Sequence, residues 1–291
     1  MYKILLYYKY TPISEPEDLK VKQEKLCKRL DIKGRILIAQ EGINGTVSGI
    51  SEPLDQYMAE TMSYPGLEDI EWKISSSEEC TFPRLRVAVR DEVVTLGLKS
   101  ENKDVDLTNK ADYIEPEELL QLYESDRKFV ILDARNEYEG RIGKFRNALV
   151  PDIENFREFP GFVATIEHLK NEPIITYCTG GIRCEKASSY LKGQGFTNVR
   201  QLHGGIHGYG DKAGGKYFDG EMYVFDTRVH TQVNTVNPTI ISDCYHCGTK
   251  VARYINCCNA QCNRQMICCE ECQEQYDGGC SVECQKNSRF L

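Results

Sequence analysis

The sequence predicts a multidomain α/β protein in three unlike parts: an α+β domain at the N-terminus, a parallel α/β domain after it, and a small cysteine-rich, metal-binding region at the end. Three observations carry this reading. Residues 1–98 show strand and helix patterns in the order β-α-β-β-α-β. Between Pro116 and residue 222, apolar strands alternate with helices, as in a parallel sheet covered on both faces. Ten of the 14 cysteines lie between Cys244 and Cys284. A length of 291 residues accommodates two domains of ordinary size and a smaller third. The expected boundaries are 1–98, a linker at 99–115, a second domain at 116–222, a second linker at 223–243 and the tail at 244–291.

In the first domain, residues 3–8 read as a strand and 17–30 as an amphipathic helix with Leu19, Leu26, Cys27 and Leu30 on one stripe. Strands at 34–39 and 45–48 flank a turn around Gly42 and Asn44. A second helix spans 51–62 and a fourth strand 69–74. This order is that of a ferredoxin-like (acylphosphatase-like) sandwich. Residues 85–89 and 93–96 are expected to add a short strand pair, and 100–110 is polar enough to be linker. In the second domain the pattern gives a helix from Pro116 to Tyr123, a strand at 130–133 and a helical stretch at 137–140. A helix at 162–169, a strand at 174–177, a helix at 185–193 and a strand at 199–202 follow.

Composition sets limits on function. The chain is 41% apolar, yet no stretch approaches the roughly 18 consecutive apolar residues of a membrane helix. The first residues lack the apolar core and small-residue cleavage site of a signal peptide, so the expected location is cytoplasmic. There, clustered cysteines bind metal more often than they form disulfides. A net charge of −8 argues against a uniformly basic nucleic-acid coat but leaves room for a local basic face.

The strand at 174–177 runs straight into Cys178, followed by Thr179, Gly180, Gly181, Ile182, Arg183 and Cys184. Gly180 and Gly181 permit a tight loop whose N–H groups turn inward. A helix starting near Arg183 places its positive end beside the sulfur, and Arg183 adds charge. Together these favour the Cys178 thiolate and make it the expected catalytic group. The same cradle would hold an anionic persulfide or an oxyanion. Cys184 could resolve an oxidised Cys178 as a disulfide, or simply pack in the helix. Four residues separate Cys178 from Arg183. Phosphatases of this general kind have five, so the smaller loop suits sulfur better than phosphate.

Upstream, Asp133 and Arg135 end a strand, and Glu139, Gly143, Phe145 and Ala148 follow. Downstream come Leu202, Gly204, Gly205 and Ile206. With the Cys178 loop, these segments resemble the signature of the rhodanese domain. Gly140 and Lys144 depart from it, standing where an aromatic and a histidine are usual. The resemblance implies that Asp133 and Arg135 support the loop through a buried ion pair rather than take part in chemistry.

The tail cysteines fall in short spacings: Cys244 and Cys247, then Cys257, Cys258 and Cys262, then Cys268, Cys269 and Cys272, then Cys280 and Cys284. Two pairs make one tetrahedral zinc site, so four pairs allow two structural zinc ions. The expected sets are Cys244, Cys247, Cys258 and Cys262 for one, and Cys269, Cys272, Cys280 and Cys284 for the other. Interleaved pairing is equally allowed, and Cys257 or Cys268 could replace its neighbour. Four thiolates leave no open position for catalysis, and iron–sulfur ligation is disfavoured by the spacing.

Lys20, Lys22, Lys25, Lys28, Arg29, Lys33 and Arg35 cluster at the first helix and the next strand, as either a phosphate-backbone contact or a solvated face. His203 and His207 lie in a glycine-rich segment read as a loop, with no carboxylate at motif spacing for an iron site. No dinucleotide fingerprint follows a strand, so neither flavin nor nicotinamide is indicated, and haem is not indicated either.

The whole order carries a more specific resemblance. An N-terminal domain containing Gln40, Glu41, Gly42, Ile43, Asn44, Gly45 and Thr46 precedes the Cys178 loop, and a cysteine-rich tail ends the chain. This is similar to the bacterial rhodanese-domain tRNA uridine hydroxylase family over nearly the entire chain. The resemblance implies oxygen-dependent C5 hydroxylation of wobble uridine, giving 5-hydroxyuridine, with Cys178 as the active-site cysteine and a cysteine persulfide as the rhodanese precedent. It implies molecular oxygen as co-substrate, tRNA as partner, an electron or sulfur donor of unknown identity, and no membrane. Under it, Lys22, Lys25, Lys28 and Arg29 become candidate tRNA contacts. The competing readings are a sulfurtransferase moving sulfane sulfur from thiosulfate or a persulfide, and a non-enzymatic binding module built on the tail.

Overall fold

A computed structural model describes residues 1–98 and 105–287. The N-terminal domain contains β1 (Tyr2–Tyr10), α1 (Pro16–Arg29), β2 (Lys33–Ala39), β3 (Gly42–Ile50), α2 (Ser51–Met62), β4 (Glu71–Ser77) and β5 (Leu85–Val89). Its sheet order is β4-β1-β3-β2-β5. The first four strands pair antiparallel, which is the ferredoxin-like arrangement, and β5 adds to the edge parallel to β2. Strand alternation divides the sheet's two faces. Leu5, Tyr7, Ile36 and Val47 are buried with Leu26 and Cys27 of α1 and Leu54 and Tyr57 of α2. Leu6, Tyr8 and Tyr10, the alternate residues of β1, face the second domain instead.

Residues 93–96 are not the strand that their apolar pattern suggested. Val93 and Leu96 are buried, but carboxylates take their backbone N–H groups. Val93 N–H donates to Glu41 at 2.9 Å and Leu96 N–H to Glu92 at 3.0 Å, so no ladder can form there.

The second domain contains β6 (Asp112–Ile114), α3 (Pro116–Tyr123), β7 (Val130–Asp133), α4 (Glu137–Ile142), β8 (Gly143–Phe145), α5 (Phe159–Thr165), β9 (Ile174–Tyr177), α6 (Ile182–Gly193), β10 (Val199–Leu202), α7 (Gly205–Ala213) and β11 (Phe218–Gly220). A parallel sheet runs β6-β10-β9-β7, and β8 pairs with β11 at the side. One core lies between the sheet and α5 and α6, around Leu132, Ile174, Phe159 and Leu191. The other lies under α3 and α7, around Ile131, Ile175, Leu119 and Ile206.

Three sequence expectations change here. Strand β6 falls inside the expected linker, of which residues 99–104 lie outside the described residues. The helix expected at 162–169 starts earlier as α5 and ends as a separate 3-10 turn over Glu167–Leu169. The glycine-rich segment carrying His207 is helical, because its N–H groups are held by the cysteine loop rather than left to glycine's weak helical preference.

The remaining elements are β12 (Met222–Tyr223) paired with β13 (His230–Thr231), β14 (Tyr254–Asn256) paired with β15 (Gln265–Ile267), α8 (Glu270–Gln275) and α9 (Val282–Lys286). The β12–β13 hairpin starts at the last residue of the expected second domain and otherwise lies in the second expected linker; it is anchored to the N-terminal domain, where Thr227 donates from both N–H and hydroxyl to Thr81 O at 3.0 Å. Tyr254 hydroxyl ties the tail to Tyr138 O at 2.6 Å. No described helix is long and apolar enough to cross a membrane.

Candidate active site

The Cys178 loop connects β9 to α6 at the end of the parallel sheet. Gly181 N–H donates to Cys178 Sγ at 3.1 Å. Gly181 sits at φ +105°, a backbone that L side chains rarely adopt, and that geometry aims the N–H at the sulfur. The second support comes from α7. Ile206 N–H donates to Cys178 O at 2.9 Å and His207 N–H to Thr179 O at 3.1 Å. This contact requires glycine at 205, where φ is +64° and a Cβ would lie 2.5 Å from Cys178 O.

Cys178 is fully buried, and burial by itself raises a thiol's pKa. A hydrogen bond from Cys184, the charge of Arg183 and the N–H groups of Arg183 and Gly181 outweigh it and lower the value to about 6. Burial and the neighbouring Cys178 sulfur push the Cys184 thiol the other way, so it remains the proton donor of the pair. Arg183 is not a free charge. Both its terminal nitrogens bind the buried carboxylate of Glu139, at 2.5 and 2.7 Å. Glu139 also accepts from Asn136 N–H, closing the capping box of α4. One layer below, Arg135 and Asp133 form a fully buried ion pair at 2.7 Å. Tyr177 hydroxyl donates to Asp133 at 2.6 Å and Arg135 to Gly143 O at 2.8 Å, so the pair joins β7, β9 and β8 behind the loop.

The N-terminal sheet roofs the loop. Tyr8 hydroxyl donates to Glu185 at 3.2 Å and Tyr10 hydroxyl to Ile182 O at 3.3 Å. Lys186 of α6 is buried between Glu92 at 2.6 Å and Glu41 at 2.8 Å, which pins the two domains together. Lys73 of β4 is buried beside the loop, with Nζ 5.2 Å from the Tyr8 ring centre, and burial lowers its pKa. Between roof and loop lies a cavity of about 230 Å³. Leu6, Tyr8, Arg35 and Asn44 line one side, and Cys178, Thr179, Gly180, Ile182 and Arg183 the other. It is smaller than the roughly 300–1,000 Å³ of drug-sized ligand pockets, a size for one planar base or a small anion. A second lobe of about 380 Å³, lined by His207 and Arg228, shares Leu6, Thr46, Thr179 and Phe225 with the first.

The expected loop residues therefore converge, and sequence reading missed their roof. Tyr8, Lys73 and Phe225 carry no local motif; the alternation of β1 and β4 was the signal for Tyr8 and Lys73, and Phe225, which follows β12, had none. Lys22, Lys25, Lys28 and Arg29 do not reach the cavity. They are exposed on α1, on the far side of the sheet, and Arg29 pairs with Glu60 at 2.5 Å. Arg35 of the same basic cluster does line the cavity.

The tail cysteines gather differently from the expected sets. Cys244, Cys247, Cys269 and Cys272 form one group, and Cys257, Cys262, Cys280 and Cys284 the other, with sulfurs within 4.8 Å of one another. The β14–β15 hairpin is the reason. Cys257 N–H bonds Arg264 O at its loop end, while Cys268 N–H bonds Arg253 O at its open end. The second and third cysteine clusters thus sit at opposite ends. The Cys244 turn docks at the open end, where Tyr245 N–H meets Ile267 O and Cys269 N–H donates to Cys244 Sγ. Cys258 belongs to neither group; Cys257 takes its place, accepting from Cys280 N–H at 3.4 Å. Sulfur separations of 3.6–3.7 Å match the roughly 3.8 Å edge of a tetrahedron with 2.3 Å zinc–sulfur bonds. Each group could hold one metal ion.

Comparison with known proteins also divides the chain into three parts. The UPF0176 acylphosphatase like domain family matches residues 2–93, the Rhodanese-like domain family 115–212, and the Rhodanase C-terminal family 219–285. The tRNA uridine(34) hydroxylase of Cytophaga hutchinsonii is 47% identical over 97% of this chain and 89% of its own length. That of Bacillus licheniformis is 46% identical over 100% of this chain and 90% of its own. That of Staphylococcus epidermidis is 45% identical over 99% and 90%. With such identity across all three parts, the chain belongs to the tRNA uridine(34) hydroxylase family.

Proposed function

We propose that the protein hydroxylates C5 of the wobble uridine in tRNA, with molecular oxygen as co-substrate and Cys178 as the catalytic residue. The observation that carries this is the placement of Cys178. Its thiolate-favouring loop opens into an interdomain cavity sized for one base, with a wall supplied by the N-terminal domain. The wobble base lies in a single-stranded loop, where it can leave the stack at small cost. Converting C5–H to C5–OH with oxygen releases the second oxygen atom as water. That balance takes two electrons and two protons from a reductant, supplied by a separate donor. Cys178, as thiolate or in an oxidised or persulfide form, is the group placed to touch the base. The tail holds two structural zinc ions, one in each four-cysteine group. The protein works in the cytoplasm, where its substrate is.

The test is nucleoside mass spectrometry of tRNA from cells lacking the gene. Complementation with the gene restores 5-hydroxyuridine, and complementation with Cys178→Ser does not. Restoration by Cys178→Ser would remove Cys178 from the chemistry. Thiosulfate–cyanide turnover by the purified protein, without any effect of deletion on tRNA, would establish sulfur transfer instead.

A further inference from the structure

The face of the N-terminal sheet turned away from its helices carries arginines that no described carboxylate neutralises. Arg86 of β5 stands opposite Arg35 of β2 in the parallel ladder. Their neighbours Ile36 and Val87 are buried against the helices, so both arginines project to the face that carries Leu6 and Tyr8. Arg84 precedes β5 at the same parity. All three are exposed, and among the described residues none has an ion-pair partner. On a chain of net charge −8, such a row is a local attractor for a polyanion. Arg35 connects it to the cavity that holds Cys178.

Phe225 stands at the same mouth. It is 52% exposed, lines both lobes and meets Tyr223 edge-on at 5.2 Å. The anchoring of Thr227 on Thr81 holds its hairpin in place. An exposed ring beside a row of guanidiniums is the pairing that single-stranded RNA sites use: stacking for the base, charge for the backbone. We propose that Arg35, Arg84 and Arg86 hold the phosphates flanking the target nucleotide, and that Phe225 stacks on its base at the mouth of the Cys178 cavity. This rests on tRNA being the substrate. It assigns the RNA to the sheet face rather than to the exposed side of α1.

The full-length protein is titrated with an anticodon stem-loop RNA bearing a wobble uridine, by fluorescence anisotropy at several salt concentrations. In R35A/R84A/R86A, the dependence of log Kd on log salt flattens by about 0.7 for each phosphate no longer neutralised. F225A weakens binding about tenfold with the salt slope unchanged, and F225W restores it. Unchanged melting shows that each variant is folded. K22A/K25A/K28A/R29A binds as the unaltered protein does. If the α1 variant takes the change in slope and the sheet variant does not, the proposal is overturned while tRNA hydroxylation stands. If the unaltered protein neither binds the RNA nor modifies tRNA, both fall.

Discussion

Cys178 has its charge set by three neighbours working against burial, and two of them, Cys184 and Arg183, act through side chains that can be replaced separately. The thiolate fraction rises with pH through about 6, so alkylation by iodoacetamide should be slow at pH 5 and near its plateau at pH 7. A midpoint near that of an ordinary thiol, roughly 8.5, would contradict the site as described. Cys184→Ala removes a hydrogen bond to the charged form. With such bonds worth about 1.5 kcal/mol, the midpoint should climb by about one pH unit. Cys184→Ser keeps a donor and should leave it nearly unmoved. Arg183 is the harder case. Its bond to Glu139 fixes its position and balances its charge, so its effect on the sulfur comes from placement as much as from charge. This much was legible in the sequence, because Cys178, Gly181 and Arg183 act through one short stretch of chain. Glu139 matched a motif interval, but its partnership with Arg183 crosses 44 residues and has no local signature.

Helix α7 shows where sequence reading stops. Its glycines argue for a loop, and only contact with the Cys178 loop makes the helix worthwhile. The glycine that weakens the helix is the one that allows that contact. Gly205→Ala should therefore damage the site more than the fold. Its Cβ would meet Cys178 O and Thr179 O, and the φ of +64° adds strain. The expected outcome is loss of the low alkylation midpoint with a melting temperature lowered by only a few degrees, measured by alkylation rate and calorimetry. The tail follows the same logic. Spacing alone allows several pairings, and the β14–β15 hairpin decides among them by separating clusters that are neighbours in sequence.

At the scale of the molecule, the site is finished by contacts between parts that the sequence presents as independent. Lys186 bridges them, and Lys186→Met would remove the cation that the buried Glu92 holds in its cluster with Glu41. Breaking such a buried cluster costs about 3–5 kcal/mol. The melting temperature should fall, and Cys178 should become open to bulky maleimides that the intact cavity excludes; unchanged size selectivity would show that the bridge does not close the roof. The tail makes the opposite kind of bond to the site. Its interior is chiefly Cys244, Cys257, Met266, Cys268, Cys272 and Cys280, little apolar surface for a core of its own. The purified protein should contain two zinc ions, one for each four-cysteine group. Their removal by a chelator should expose eight thiols to titration and collapse amide-exchange protection across β14, β15, α8 and α9. Because Tyr254 bonds Tyr138 O on α4, and α4 carries Glu139, that loss should pass to Arg183 and raise the Cys178 alkylation midpoint. If the stripped tail keeps its protection, the hairpin alone holds it. If protection is lost and the midpoint stays near 6, α4 is held by its own domain, and the tail serves the site only as a neighbour.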